Sequence, residues 1–251
     1  MKKTIFKGAG VALITPMNKD GSVNYDALGQ LIEFQIKNGT DAIITCGTTG
    51  ESATLSCEEK IKVIKFTVEK TAKRIPVIAG TGCNDTEATL KSSLKAQELG
   101  VDGLLIVTPY YNKTSQSGLI KHYTYIADKI DIPIILYNVP SRTGVNINPE
   151  TCAELSKHPN ICAIKEASGD ISQVAKIKNL CGENLNIYSG NDDQIVPILS
   201  LGGIGIISVF SNICPKECHL LVKEYLEGNI EVASKMQIKY LELMKIGRAH
   251  V

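Results

Sequence analysis

The chain of 251 residues lacks any apolar run that approaches the length of a membrane span, and its formal net charge is only +1. A spanning helix needs about 20 consecutive apolar residues, so no membrane partner is expected. A charge near zero gives no electrostatic reason to expect nucleic acid or an anionic bilayer either. The basic start, Met1-Lys2-Lys3, is not followed by a long apolar stretch, which argues against a signal peptide. Paired metal ligands are also missing. Of the cysteines at 46, 57, 83, 152, 162, 181, 214 and 218, only Cys214 and Cys218 are close, and no second pair or histidine cluster completes a zinc site. The four histidines (122, 158, 219, 250) have no metal-ligand spacing. Reduced, mostly buried cysteines and a cytoplasmic location are the expectation. No linker and no low-complexity segment interrupts the chain.

What is present is a recurring unit. A short β-rich apolar run ends in Gly, Thr, Pro or a polar cluster, and an amphipathic helical stretch follows. The runs are Gly10–Thr15, Ala42–Cys46, Pro76–Ala79, Gly103–Thr108, Pro133–Tyr137, Ile161–Lys165, Leu185–Ser189 and Gly205–Val209. Between them, Tyr25–Asn38 places Leu28, Leu31, Ile32 and Ile36 on one face and stops at Gly39. Ser56 with Glu59 forms a capping box. Asn148-Pro149-Glu150 reads as N-cap, first-turn proline and acidic first turn. Thr86–Leu99 stops at Gly100 and Lys216–Glu227 at Gly228, while Pro197 should shorten or kink the helix near 192–201.

Strands buried on both faces and alternating with helices imply a parallel sheet. Eight such units fit a (β/α)8 TIM barrel better than an open doubly wound sheet. The open sheet would place a Gly-x-Gly-x-x-Gly turn after its first strand. Here Gly8 and Gly10 precede the first run, and Gly202-Gly203-Ile204-Gly205 precedes the last. The barrel is expected over residues 1–228, with 229–251 beginning a C-terminal helical region.

Chemistry in such a barrel sits at the C-terminal strand ends. These carry Gly47-Thr48-Thr49-Gly50-Glu51-Ser52, Pro109-Tyr110-Tyr111-Asn112, Tyr137-Asn138-Val139-Pro140-Ser141-Arg142-Thr143-Gly144, Lys165 and Ser189-Gly190-Asn191-Asp192. Lys165 closes a buried run. Burial disfavours the ammonium form, and only the neutral amine attacks a ketone to form a Schiff base; the alternative is a strand-end lysine that snorkels to water. Tyr137 stands one barrel position before Lys165. With neighbouring strands about 4.8 Å apart, phenol and amine can meet over the mouth, and a proton could pass onward through Thr48 to Tyr110 or Tyr111. Either tyrosine could instead be a packing residue. Gly47–Gly50 has the composition of a turn whose N–H groups hold a small carboxylate, or is simply a βα turn. Arg142, read as lying in a loop, could pair bidentately with a substrate carboxylate or form a surface salt bridge. Asp192 and Asp193 are read as helix-opening residues that cap and complement the dipole.

At these motifs the chain resembles the pyruvate-dependent class I aldolase and lyase family, and within it the dihydrodipicolinate synthases. The resemblance covers almost the whole chain and rests on Gly47–Glu51, Pro109–Asn112, Tyr137–Gly144 and Ile164-Lys165-Glu166-Ala167 in this order. It implies condensation of pyruvate with L-aspartate-4-semialdehyde, the first committed step of the diaminopimelate route to lysine, with no metal or organic cofactor. Lys165 would form the Schiff base and Tyr137 would donate and accept protons. Thr48 and Tyr111 would complete the relay, with Tyr111 reaching in from a neighbouring subunit of a homo-oligomer, a dimer of dimers. Thr49, Gly190 and Ile207 (through its main chain) would contact pyruvate, and Arg142 the carboxylate of the aldehyde. Two other readings stand beside this one: a sister Schiff-base aldolase acting on a sugar-derived keto acid, and a catalytically dead metabolite-binding barrel.

Three departures stand out. Thr114 replaces a proline common in the family. Cys57, Lys60 and Ala88 stand where lysine-inhibited members carry histidines and a glutamate, although Ser52, Ala53, Asn84 and Tyr110 match. Inhibition by lysine is therefore expected to be weak or absent. Finally, the closing residues Gly247–Val251 do not continue the helical pattern where the family continues into further helices, so a truncated or misread end is expected.

Overall fold

The β-branched runs become strands because they can be buried on both faces, and the periodic segments become helices because each has one apolar stripe to lay on the sheet. In the computed structural model, which describes residues 2–246, the order is β1 (Gly8–Ala12), α1 (Tyr25–Lys37), β2 (Ala42–Thr45), α2 (Cys57–Thr71), β3 (Val77–Gly80), α3 (Thr86–Glu98), β4 (Gly103–Val107), α4 (Gln116–Ala127) and β5 (Ile134–Asn138). There follow α5 (Pro140–Thr143), α6 (Pro149–Leu155), β6 (Ile161–Glu166), α7 (Ile171–Cys181), β7 (Asn186–Ser189), α8 (Ile195–Ser200), β8 (Gly205–Ser208), α9 (Pro215–Leu226), α10 (Ile230–Lys239) and α11 (Leu241–Ile246). The eight strands are all parallel and close in sequence order, with β8 paired to β1. This is the expected barrel. The terminal stretch Gly247–Val251 lies outside the described residues.

Strand alternation divides the core into two layers. Phe6, Ile44, Ile78, Leu105, Ile135, Ala163, Tyr188 and Ile207 fill the barrel interior, whereas Ile43, Leu104, Ile106, Ile134, Leu136, Ile164 and Ile187 pack outward under the helices. Phe6 lies across the interior beneath the rim: its ring stacks on Tyr188 with centroids 4.4 Å apart, and its carbonyl accepts from the Tyr188 hydroxyl at 2.6 Å.

Several local expectations are corrected. Gly8 and Gly10 lie inside β1 rather than before it. They are there for space: a Cβ on Gly8 would stand 2.1 Å from Asp41 Oδ2, and one on Gly10 2.7 Å from Ile44 Cδ1. Arg142 lies in the short helix α5, which opens on Pro140 and closes on Gly144 at φ 67°. Asn148 does cap α6 by position, but its side chain makes no cap bond and accepts instead from Asn146 Nδ2 at 3.3 Å. Pro197 sits within α8, which is only six residues long. All eight cysteines are free, five of them buried, and Cys57 is exposed.

Candidate active site

Lys165 is the fifth residue of β6, and inward residues alternate along that strand. Ala163 faces the barrel interior and Ile164 the helix layer, so Lys165 turns inward at the rim. It is buried at 4 % exposure. Tyr137 is its register partner on β5, which follows from the same alternation with Ile135 inward and Leu136 outward. The amine Nζ stands 4.4 Å from the centroid of the Tyr137 ring. Among the described residues no carboxylate forms an ion pair with Lys165. The nearby acid whose charge it influences, Asp192, is already engaged by three other donors.

A cavity of about 370 Å³ opens above this pair, lined by Thr48, Thr49, Tyr137, Arg142, Lys165 and Gly190, together with Val139, Ser141, Ala167, Ser168, Gly169, Asn191 and Val209. That volume has room for small metabolites. The structure thus brings together six of the eight candidate residues. Ile207 is fully buried in the interior below the cavity. Tyr111 does not line it: within this chain the side chain is 90 % exposed on a residue with φ 69°. Thr48 and Tyr137 share the cavity, but among the described residues no direct hydrogen bond joins them. The proton relay drawn from the sequence is therefore not closed within the isolated chain.

The Gly47–Gly50 turn is tighter than its composition suggests. Its own carbonyls take the N–H groups of Gly50 at 3.1 Å and Glu51 at 3.0 Å. Those of Thr48 and Thr49 are left without a partner among the described residues, so two amides rather than a full nest remain for an anion. Gly190 has a reason that its strand-end position alone did not reveal. A Cβ there would stand 2.6 Å from Ala167 Cβ, 3.1 Å from Glu166 O and 3.2 Å from Lys165 Cε.

Asp192 corrects the helix-capping expectation. Its carboxylate does not cap the turn that it begins. It accepts from Ser208 Oγ, from Val209 N at 3.0 Å and from Phe210 N at 3.1 Å, so it fastens the segment after β8 beside the cavity. Burial pushes its carboxyl above the usual carboxylate range, against the pull of these donors and of Lys165. Its carbonyl accepts from Gln237 Nε2 of α10 at 2.9 Å.

Behind Lys165 and Tyr137 the next residues, Glu166 and Asn138, are also register partners and turn to the helix side. Glu166 is buried. It accepts from Ser168 N at 2.6 Å, Asn138 Nδ2 at 3.0 Å and Gln173 Nε2 at 3.2 Å. Burial raises its carboxyl above the ordinary value while these donors oppose the shift. Sequence reasoning gave Glu166 no role, although its position next to the lysine at a buried strand end was the available signal.

The chain matches the Dihydrodipicolinate synthetase family over residues 5–250. It belongs to that family. It is 58 % identical to the 4-hydroxy-tetrahydrodipicolinate synthase of Caldicellulosiruptor saccharolyticus across 96 % of this chain and 81 % of the relative. Among solved structures, dihydrodipicolinate synthase from Aquifex aeolicus superposes with a TM-score of 0.94 at 46 % identity, covering 96 % of this chain and 82 % of that one. The Acinetobacter baumannii dihydrodipicolinate synthase, solved in complex with pyruvate, gives 0.95 at 42 % identity, covering 97 % and 83 %. These relatives support the synthase reading rather than a sugar-acid aldolase or an inactive barrel.

Proposed function

We propose that the protein condenses pyruvate with L-aspartate-4-semialdehyde to give 4-hydroxy-tetrahydrodipicolinate. The observation that carries this reading is the buried Lys165 amine, 4.4 Å from the Tyr137 ring in a small cavity shared with Arg142. The neutral amine adds to the pyruvate ketone, and loss of water from the carbinolamine leaves an imine. Tyr137, whose ring lies 4.4 Å from the amine, would hand the proton on and off. The imine withdraws electrons, so a proton leaves the pyruvate methyl and an enamine forms. The enamine carbon attacks the aldehyde carbon, whose oxygen takes up a proton. The amine of the aldehyde substrate then attacks the imine carbon, closes the ring and expels Lys165 as free amine.

Thr49 and the free amides of the Gly47–Gly50 turn would receive the pyruvate carboxylate, with Gly190 and the Ile207 main chain beside it. Arg142, a planar fork matched to a carboxylate, would hold the aldehyde substrate. Thr48 and Tyr111 would extend the proton path from Tyr137, with Tyr111 supplied by a second copy in a dimer of dimers. In this reading residues 1–228 form the barrel, 229–251 begin a helical region, and the enzyme works in the cytoplasm.

Borohydride reduction in the presence of pyruvate, followed by peptide mass mapping, tests the proposal. The adduct should fall on Lys165 and be absent in Lys165→Ala. Tyr137→Phe should still trap pyruvate and turn over roughly 10²–10⁴-fold more slowly. An adduct elsewhere, or none, defeats the mechanism.

A further inference from the structure

The segment that carries Arg142 leaves β5 at Asn138 and returns at Asn146, and the two ends are fastened to each other by side chains. Asn138 Nδ2 donates to Asn146 Oδ1 at 2.8 Å, and Asn138 Oδ1 accepts from Ile147 N at 2.9 Å. Gln173, from α7, closes the ring: its Nε2 donates to Asn146 Oδ1 at 3.1 Å, and its Oε1 accepts from Asn146 Nδ2 at 2.7 Å. Outside this ring, Gln116 of α4 donates to Asn146 O at 2.8 Å and accepts from Asn148 N at 3.1 Å.

At the centre is Glu166. The amides of Asn138 and Gln173 both donate to it, as does the backbone N–H of Ser168 in the loop after β6. Those bonds bind the two cavity walls to one carboxylate: the Arg142 segment on one side and Ala167-Ser168-Gly169 on the other. The carboxylate belongs to the residue that follows Lys165. Every one of these partners is a donor, so the site is built for a group that only accepts, and an ionised carboxylate is that group.

We propose that Glu166 is a positioning residue that fixes the Arg142 segment and the Ser168 loop relative to Lys165, and so sets the binding geometry of the second substrate. This rests on the synthase reading above and adds to it a residue that never touches substrate. The carboxylate acts through hydrogen-bond polarity rather than through proton transfer. Replacing one of its oxygens with an amide nitrogen turns donors toward donors, and the Arg142 segment then loses its anchor while the backbone of β6 stays in its ladder.

The test is Glu166→Gln alone and combined with Asn138→Asp. The double variant restores one charge to the same place: the new glutamine amide donates to the new carboxylate, which still accepts from Ile147 N, and the Asn146 and Gln173 amides turn over so that Asn146 Nδ2 donates to that carboxylate and Gln173 Oε1 faces the new amide. Steady-state kinetics with the semialdehyde varied should give a KM raised about tenfold or more in Glu166→Gln, since a misplacement of about 1 Å can cost roughly 100-fold. Borohydride trapping of pyruvate on Lys165 should continue, and the double variant should recover most of the loss. Asn146→Ala, at a half-buried position, is the milder break in the same ring and should raise the same KM. Unchanged semialdehyde KM in both single variants overturns the proposal, as does a Glu166→Gln defect that the double variant does not relieve. If Glu166→Gln fails to fold, the Asn146→Ala result decides alone. Failure of the wild-type protein to trap pyruvate on Lys165 overturns the synthase reading itself; intact trapping with unaltered variant kinetics overturns only the role of Glu166.

Discussion

A single absent methyl group keeps room for the stem of Lys165. Gly190 lies against Lys165 Cε, Ala167 Cβ and the Glu166 carbonyl, all closer to its missing Cβ than ordinary contact would allow. Gly190→Ala must therefore push the lysine stem or the Ala167 loop aside. We expect kcat/KM to fall by ~10–100-fold, as for other small displacements near reacting atoms, with the melting temperature changed far less; steady-state kinetics beside thermal denaturation reads both. The lysine and tyrosine were legible in the sequence because strand alternation, once the run ends were placed, sends 137 and 165 to the same face. The reason for Gly190 was not legible. It depends on the distance between loops after two different strands, which no local pattern encodes. Gly8 and Gly10 were misplaced for a related reason: taken to precede the first strand, they are strand residues without side chains where Asp41, Ile44 and Phe6 crowd the backbone.

At the level of the element, the start of α2 was readable because side chains do the capping there. Ser56 accepts from Glu59 N at 3.2 Å while Glu59 Oε2 accepts from Ser56 N at 2.8 Å. Ser56→Ala should cost about 1 kcal/mol of stability, measured by urea denaturation with catalysis unaffected. Asn148 shows the limit of such reading, since the right residue at the right position gives its oxygen to a neighbour instead. The short helix α5 was missed although Pro140 and Gly144 bracket it in the expected order, because four residues carry too little periodicity to register. Helix α4 has its own consequence. His122 is buried on it, with Nδ1 2.8 Å from Thr86 Oγ1, and burial pushes its pKa down to about 4 from the ordinary 6.5. Between those values the unfolded chain holds a proton on this ring that the folded chain does not. Stability contributed by the neutral ring is therefore present above about pH 6.5 and is lost as pH falls toward 4, with a slope of up to about 1.4 kcal/mol per pH unit. His122→Gln should flatten that part of the stability–pH curve, as followed by urea denaturation at a series of pH values.

At the scale of the whole molecule the barrel was the most legible feature, because eight repetitions of one unit outweigh errors of two residues at any strand end. Its closure through β8 and β1, and the division of each strand into interior and helix-facing residues, follow from that count and from alternation. What the repetition could not give is the traffic between units, such as the Asp192 carboxylate reaching the segment after β8. The hollow between α2 and α3 is a second example, where the residues that depart from the lysine-inhibited members come together. Cys57, Lys60 and Ala88 line about 650 Å³ of space there along with Ser52, which matches those members, and Lys91, Lys95 and Glu98. Three ammonium groups against one carboxylate are an unfavourable lining for a cationic amino acid. Calorimetric titration with L-lysine should show no tight binding, and turnover should be insensitive to it; tight binding in the calorimeter would refute this.

Gln237 connects the last helices to the mouth of the barrel: its amide nitrogen holds the Asp192 carbonyl, and its amide oxygen takes the N–H of Val196 at 3.2 Å. Through that side chain, mechanical disturbance in α10 has a direct route to the segment beside the cavity. A bulky fusion placed after α11, or proteolytic nicking within α10, should register first as slower turnover, before any spectroscopic sign of unfolding.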